Sequence, residues 1–365
     1  MVRLEWENKK DVSASFDDLK NLYKNSFKKV KISHMNKSLD LPIHFLNKDE
    51  WTNKLLWGDN LAALYYLLED FSEKIDLIYI DPPFFSGSDY IIEVGEKGNT
   101  SDKLAYRDYW AKDIDSYLQM LYERLYVIKK LLSKKGLIFV HIDWHASHYV
   151  KMILDDLFEN RFINNIIWYY YNKYSAGKRV LPRAHDDILV YSKTENYTLN
   201  EIRIPRKKPR KQLKRVNVNG ILKNAKDENG KTIYRIVTDK KLDDVWKIPC
   251  MQPASKEWTG FPTQKHHDLL ERIIKLGSNE GDLIADFFCG SGTTLLAAEK
   301  LKRKWIGCDN NKYSIYITLN RINNIQKNSK ENSYPNEIYV NMTPEKQETL
   351  NSDFFNKKMF IKAKK

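Results

Sequence analysis

The sequence predicts an α/β fold, with an open, mostly parallel sheet covered by helices on both faces. Three observations point there. Ile75–Ile80 (IDLIYI) and Leu137–Ile142 are apolar runs without alternation, as expected of strands buried on both sides. Between them, Tyr117–Leu132 carries apolar residues at helical spacing. Further on, the strand-like Asp282–Phe288 runs through a glycine-rich turn into the helical stretch Gly292–Leu301. Strands alternating with helices build a doubly covered sheet.

The remaining elements follow in order. Residues 1–50 are polar and mixed, an N-terminal extension with one short helix at Phe16–Tyr23. Residues 51–195 form a first half. It holds a helix at Leu61–Leu68, the strand and helix named above, and further strands at Ile163–Tyr171 and Asp187–Tyr191. The texture then changes. Residues 203–215 (RIPRKKPRKQLKR) are dense in Arg and Lys, contain two prolines and have no acid. A charge run is usually a solvated face or tail. Here it lies between two α/β segments, so 196–245 reads as an inserted loop or small subdomain. Residues 246–325 resume the pattern, with an amphipathic helix at His267–Leu276 and a strand at Lys304–Cys308 that ends at Asp309. Residues 326–365 are a polar C-terminal extension without a recognisable motif.

Composition narrows the class of function. At 365 residues, with 42% hydrophobic and 13% aromatic side chains, the chain can bury a substantial core and is not a disordered protein. Its formal charge of +13 and pI near 9.2 suit a polyanionic partner, although charge alone does not distinguish a nucleic-acid binder. Cys250, Cys289 and Cys308 have no paired spacing, which argues against a disulfide framework or a zinc site. No signal-like or membrane-spanning run is visible, so a cytoplasmic location is expected. His141, Asp143, His145 and His148 straddle the end of a buried strand and do not read as a metal set; none is expected. Tyr169–Tyr171 read equally as base-stacking rings or as core.

Two motifs carry chemistry. In the first, Asp286-Phe287-Phe288-Cys289-Gly290-Ser291-Gly292-Thr293-Thr294 joins a strand to a helix. Glycines let a ligand approach the backbone, and a helix N-terminus favours an anionic group. Dinucleotide sites and plain tight turns share this pattern, but the spacing is not that of a phosphate-binding P-loop. One strand later, Asp309 stands where a ribose diol would lie, or simply caps a helix. The second motif is Asp81-Pro82-Pro83-Phe84, directly after an apolar strand. An aromatic amine is a poor nucleophile, and its methylation requires acceptors that hold the amino hydrogens. Asp81 and the Pro82 carbonyl can supply them, and Phe84 can stack on a base swung out of a duplex. Alone, the tetrapeptide reads equally as a strand-ending turn.

Together, in this order, the motifs make the chain resemble the β-class amino-methyltransferases of DNA found in restriction–modification systems. The likeness includes Trp57-Gly58-Asp59-Asn60, Gly136–Asp143, Asp244-Val245-Trp246 and Gly260–Lys265, and spans roughly residues 51–195 and 240–320. It implies a Rossmann-like methyltransferase fold with a seven-stranded sheet, circularly permuted, with an inserted target-recognition region. It further implies S-adenosyl-L-methionine as cofactor, with Asp81, Pro82, Pro83 and Phe84 forming the catalytic pocket. Asp286, Cys289, Gly290, Ser291, Gly292 and Thr293 would hold the methionine part and Asp309 the ribose. Asp59 would lie near the adenine, and Thr263, Gln264 and Lys265 would close over the cofactor. The family usually has proline where this chain has Phe287 and His266, which bears on local geometry.

The partner expected is double-stranded DNA, contacted at its phosphates by Arg203, Arg206, Lys207, Lys208, Arg210, Lys211, Lys214 and Arg215. The resemblance adds a cognate restriction endonuclease and a homodimer as partners. Asp at the head of the tetrapeptide favours adenine N6 as the methylated atom. Cytosine N4 is the alternative, and a non-catalytic nucleic-acid binder on the same scaffold is a second. RNA methylation is disfavoured by the motif order.

Overall fold

A computed structural model gives the fold of residues 4–7, 9–30, 51–96, 99–107, 113–173, 179, 181–328, 334–352, 354–355, 357 and 359–364. The chain divides into two compact units, one of Met1–Leu199 with Val245–Lys365, the other of Asn200–Asp244.

The first part of the larger unit contains α1 (Phe16–Tyr23), β1 (Lys28–Val30), β2 (Asn53–Trp57), α2 (Asn60–Phe71), β3 (Ile75–Ile80), β4 (Asp89–Glu96), β5 (Asn99–Arg107), α3 (Ile114–Leu131), β6 (Leu132–Ile142), α4 (Ser147–Leu157), β7 (Phe162–Tyr169) and β8 (His185–Ser192). The smaller unit is made of β9 (Arg203–Leu213), β10 (Arg215–Val218), β11 (Ile221–Asn224) and β12 (Tyr234–Lys241). The larger unit then resumes with β13 (Val245–Lys247), α5 (His267–Gly277), β14 (Leu283–Asp286), α6 (Thr293–Lys300), β15 (Lys304–Asp309), α7 (Lys312–Asn328), β16 (Asn336–Val340), α8 (Pro344–Asn351) and β17 (Phe360–Ala363).

A ten-stranded sheet in the order β1-β16-β2-β15-β14-β3-β6-β8-β7-β13 forms the frame. From β16 to β6 every pairing is parallel, and β8 lies antiparallel to both its neighbours. Alternation along the strands divides the side chains between two layers. Ile78, Ile80, Ile138 and Val140 share a core cluster with residues of α2, α3 and α4. Leu77 and Phe139, of opposite parity, crowd Gly277 at the end of α5, where an added Cβ would lie 2.8 Å from Leu77. Helices therefore cover both faces.

The sheet has ten strands, not seven: β1 and β16 come from segments read as extensions, and the short β13 joins the other edge beside β7. β1 pairs antiparallel with β16, and β16 pairs in parallel with β2. Both strands are short and polar, so their hydrogen bonds to neighbours define them better than their hydropathy does. A second departure is the hairpin β4–β5, joined antiparallel by β17 into a three-stranded sheet. The basic run, read as an inserted loop or small subdomain, lies on a strand of the smaller unit, where β9 pairs antiparallel with β12. Pro205 stands in register with Asp239, and Pro209 falls in the register shift between Val237 and Asp239, sites where a missing N–H is tolerated. Among the described residues, no helix is long and apolar enough to cross a membrane.

A buried amide ties the middle of the sheet together. Asn53 is fully buried; its Oδ1 accepts from Trp305 N at 3.0 Å and Trp51 Nε1 at 2.8 Å, and its Nδ2 donates to Glu299 at 3.1 Å. Asn53→Ala would strand the Trp305 amide, and it is expected to cost about 2–3 kcal/mol. A urea midpoint unchanged from wild type would contradict this.

Candidate active site

The pairing of β3 with β14 builds the site. Ile284, Ala285 and Asp286 lie opposite Leu77, Ile78 and Tyr79, so the two strands end almost level. The loops after them, Asp81–Phe84 and Phe287–Gly292, leave the same edge of the sheet side by side. A cavity of about 220 Å³ opens between them, lined by all four residues of Asp81–Phe84 and by Asp286, Cys289, Gly290, Ser291 and Thr293. Asp59, Thr263, Gln264, Lys265 and Asp309 also line it. Gly292 is the N-cap of α6, just behind the wall.

Strain and packing shape the glycine-rich turn. Gly290 and Gly292 have φ of +49° and +75°. A Cβ on Gly292 would sit 2.5 Å from the Thr318 hydroxyl, so both backbone shape and space demand glycine there. Asp286 is buried beneath the turn, its carboxylate accepting from Phe288 N at 2.9 Å and the Thr294 hydroxyl at 2.5 Å. Burial raises its carboxyl to about 7 against these hydrogen bonds. Cys289 is buried, which pushes its thiol well above the usual range and keeps it protonated.

Asp309 holds the turn from the neighbouring strand: Oδ2 accepts from Gly290 N at 2.9 Å and Oδ1 from Asn311 N at 2.8 Å. The helix cap falls to Asn311, whose Oδ1 accepts from Tyr313 N at 2.8 Å at the start of α7, while Asp309 braces the turn and lines the cavity. Arg321, unforeseen in the sequence, donates to Ser291 O at 2.6 Å and Thr293 Oγ1 at 3.1 Å. Burial lowers its guanidinium to about 10, which leaves it charged beside the α6 N-terminus. First-turn amides of a helix have no intrahelical acceptors, so this end of the cavity suits a carboxylate.

The Asp-Pro-Pro-Phe loop is held differently. Pro82 is buried, and Tyr117 donates to Pro83 O at 2.8 Å. Phe85, directly after, has φ of +59°, a left-handed strain at the rim of the site. Asp81 Oδ2 forms an ion pair with Lys265 Nζ, which also lies 5.2 Å above the Phe84 ring. Asp81 Oδ1 is buried and has no hydrogen-bond partner among the described residues.

Other expected residues have mixed fates. Lys265 contacts the Asp81 carboxylate instead of only covering the cavity. Gln264 is largely committed to its own loop, accepting from Thr259 N at 2.9 Å and donating to Glu257 O at 2.8 Å. Asp59 caps α2 by accepting from Leu61 N at 2.9 Å. His266 takes φ −69°, an angle proline would also adopt, and its ring accepts from Asp268 N at the start of α5. Phe287, the other departure from proline, is fully buried in the core cluster.

Several contributors escaped sequence reasoning. Tyr90 and Tyr106, from the hairpin β4–β5, stack with centroids 4.3 Å apart and form one wall of the cavity. Alternating residues around Gly95 could have revealed that hairpin. Behind Asp81, His141 is fully buried between the Tyr79 hydroxyl, 2.8 Å from Nδ1, and Asp186, 3.3 Å from Nε2. Tyr170 is buried and donates to Asp186 at 3.0 Å, while Tyr169 and Tyr171 remain exposed. Asp143 and His145 pair with each other at 2.7 Å.

In the smaller unit, Lys207, Lys208, Arg210, Lys211, Lys214 and Arg215 are exposed. Arg203 forms hydrogen bonds to both Asp239 oxygens at 2.9 Å, and Arg206 donates to Asp239 O at 2.7 Å.

Comparison with known proteins adds an independent line. A sequence-family model described as DNA methylase matches residues 75–320. The Type II methyltransferase M.EcaI of Enterobacter cloacae is 29% identical over 324 residues, covering 74% of this chain and 69% of that protein. M.HpaI of Haemophilus parainfluenzae is 30% identical over 275 residues, covering 74% of each. The DNA adenine methyltransferase YhdJ of Escherichia coli (strain K12) is 26% identical over 279 residues, covering 73% of this chain and 82% of that protein.

The raised carboxyl of Asp286 has a definite pH signature. The folded state binds this proton more tightly than the unfolded chain, so its contribution to stability is lost as pH rises from about 4 to about 7. Asp286→Asn removes that titration. The wild type should therefore lose stability relative to the variant between pH 4.5 and 7.5; parallel urea-unfolding profiles would contradict the assignment.

Proposed function

Because the chain belongs to the DNA methylase family, we propose that it transfers a methyl group from S-adenosylmethionine to the exocyclic N6 of adenine in duplex DNA. The observation that carries this reading is the shared cavity, where a carboxylate on a Pro-Pro loop faces a glycine-rich helix start. Asp as the first residue of the tetrapeptide favours adenine, and similarity to an adenine methyltransferase points the same way. A restriction endonuclease reading the same site, and a homodimer, are the partners that accompany it.

The residues present fit the cofactor. The cationic end of the cavity at α6 and Arg321 suits its carboxylate. Asp309 lines the cavity where the ribose hydroxyls would lie, and the Tyr90–Tyr106 stack offers an apolar wall. Bound there, the cofactor supplies a methyl group activated on a sulfonium. The protein's own part begins with the base, which leaves the duplex at a cost of a few kcal/mol. Phe84 receives its face. Asp81 and the Pro82 carbonyl then accept the amino hydrogens and favour charge developing on nitrogen. Lys265 must yield its contact with Asp81 as the amino group arrives, so one N–H donor replaces another.

The smaller unit would provide the hold on DNA. Residues 200–244 carry fourteen basic and six acidic side chains, +8 of the chain's +13. Contacts of this kind position the duplex and release counterions.

Asp81→Ala should lower methyl transfer by at least about 10³-fold while calorimetric cofactor affinity stays within a few-fold. Digesting the methylated DNA identifies the product nucleoside. N4-methylcytosine would replace the adenine reading by its rival, and normal turnover by the variant would refute both. The triple change Lys207→Ala, Lys208→Ala, Arg210→Ala should weaken DNA binding and lower the log–log salt slope by about 2–3. An unchanged slope in filter binding would remove these side chains from the interface.

A further inference from the structure

Asp81 needs its carboxylate aimed at the amino group, yet one of its oxygens is buried without a hydrogen-bond donor among the described residues. The polar group facing that oxygen is His141, whose Nδ1 lies 3.7 Å from Asp81 Oδ1. His141 is itself pinned. The Tyr79 hydroxyl sits 2.8 Å from Nδ1, Asp186 Oδ2 lies 3.3 Å from Nε2, and Tyr170 donates to the other Asp186 oxygen at 3.0 Å. Two rings wedge the imidazole in place, Phe84 at 5.5 Å and Trp168 edge-on at 5.4 Å. Asp186 faces the ring's far side at Nε2, which leaves the Nδ1 side turned to Tyr79 and Asp81.

We infer that His141 is a positioning residue for the methyl transfer, held by Asp186 so that its Nδ1 edge fixes the inward oxygen of Asp81 and the plane of Phe84. This rests on the function proposed above and deepens it. The geometry gives the pair a task that packing alone does not require. A buried Asp–His pair costs desolvation, and an apolar pair of similar volume would fill the same space without it. With the inward oxygen located by His141, the outward oxygen is left to exchange Lys265 for the base. The groups facing His141 are Tyr79 and Asp81 from β3 and its loop, Asp186 from β8 and Tyr170 after β7, with Lys265 beyond Asp81. Its ring therefore borders the carboxylate of Asp81.

The test compares His141→Asn, which keeps a polar atom near the Nδ1 position, with His141→Ala, both folded by thermal melt. Turnover should fall about 100-fold for His141→Ala and markedly less for His141→Asn. The KM for DNA and the calorimetric affinity for S-adenosylmethionine should stay within about threefold, and the pH dependence of kcat should shift. Histidine labelled with 15N supplies a readout independent of turnover. The protein has eight histidines, and the His141 signal is assigned by its loss in His141→Asn. That signal should move in both Asp81→Asn and Asp186→Asn. The inference is overturned if His141→Ala keeps kcat and its pH profile within about twofold. It is equally overturned if Asn and Ala lose activity and melting temperature together, or if Asp81→Asn leaves the His141 resonance in place. If the wild type methylates no duplex while the resonance still responds to Asp81→Asn, the functional reading fails and the contact stands.

Discussion

The level ending of two parallel strands governs this protein. Because Tyr79 stands opposite Asp286, the loop that follows Ile80 and the loop that follows Asp286 share one edge of the sheet. Neither loop is a site alone. Parallel strands buried on both faces have little freedom to slip, since a shift of one residue would turn every apolar side chain towards the wrong layer. The register that stabilises the core therefore also fixes the distance between the two halves of the cavity. Open α/β sheets generally place ligands at the carboxyl ends of their strands.

Within that cavity the difficulty is charge. Asp81, Asp286 and Asp309 line one space, with Asp186 just behind, and each is managed by different means. Asp286 is desolvated and held towards its neutral form while it braces the turn. Asp186 is buried too, which would raise it, but hydrogen bonding and charge from His141, together with Lys265, bring it below the ordinary range. Asp309 is raised by burial against three or more hydrogen bonds from its own surroundings. Asp81 has the Lys265 ammonium. The acid on the Pro-Pro loop is thus the one whose partner sits on a flexible stem.

Much of this was legible in the sequence, for a reason that particular elements make plain. Ile75–Ile80 is unalternating and ends at a double proline, so its bounds were readable to the residue. A short helix is also expected at Phe16–Tyr23, and α1 has those bounds. Both chemical motifs follow such strands and inherit their placement. What stayed hidden depends on partners far along the chain. β16 reads as polar and unremarkable, and only its hydrogen bonds to β2 and β1 make it a sheet strand. The Lys265–Asp81 pair joins residues 184 apart, and the His141–Asp186 pair joins antiparallel neighbours whose register no local pattern reveals. The basic run gave no local sign of its strand, because β9 is defined by its pairing with β12, residues further along the chain.

The placement of β2 also bears on how the molecule comes into being. It is complete by Trp57, yet the strands that flank it, β15 and β16, begin about 250 residues later or more. During synthesis its Leu55 and Leu56 side chains and both rows of backbone hydrogen-bonding groups emerge from the ribosome with no partner. Distant pairings of this kind slow folding and prolong the life of sticky intermediates. The sheet around β2 therefore cannot close until translation has passed β16.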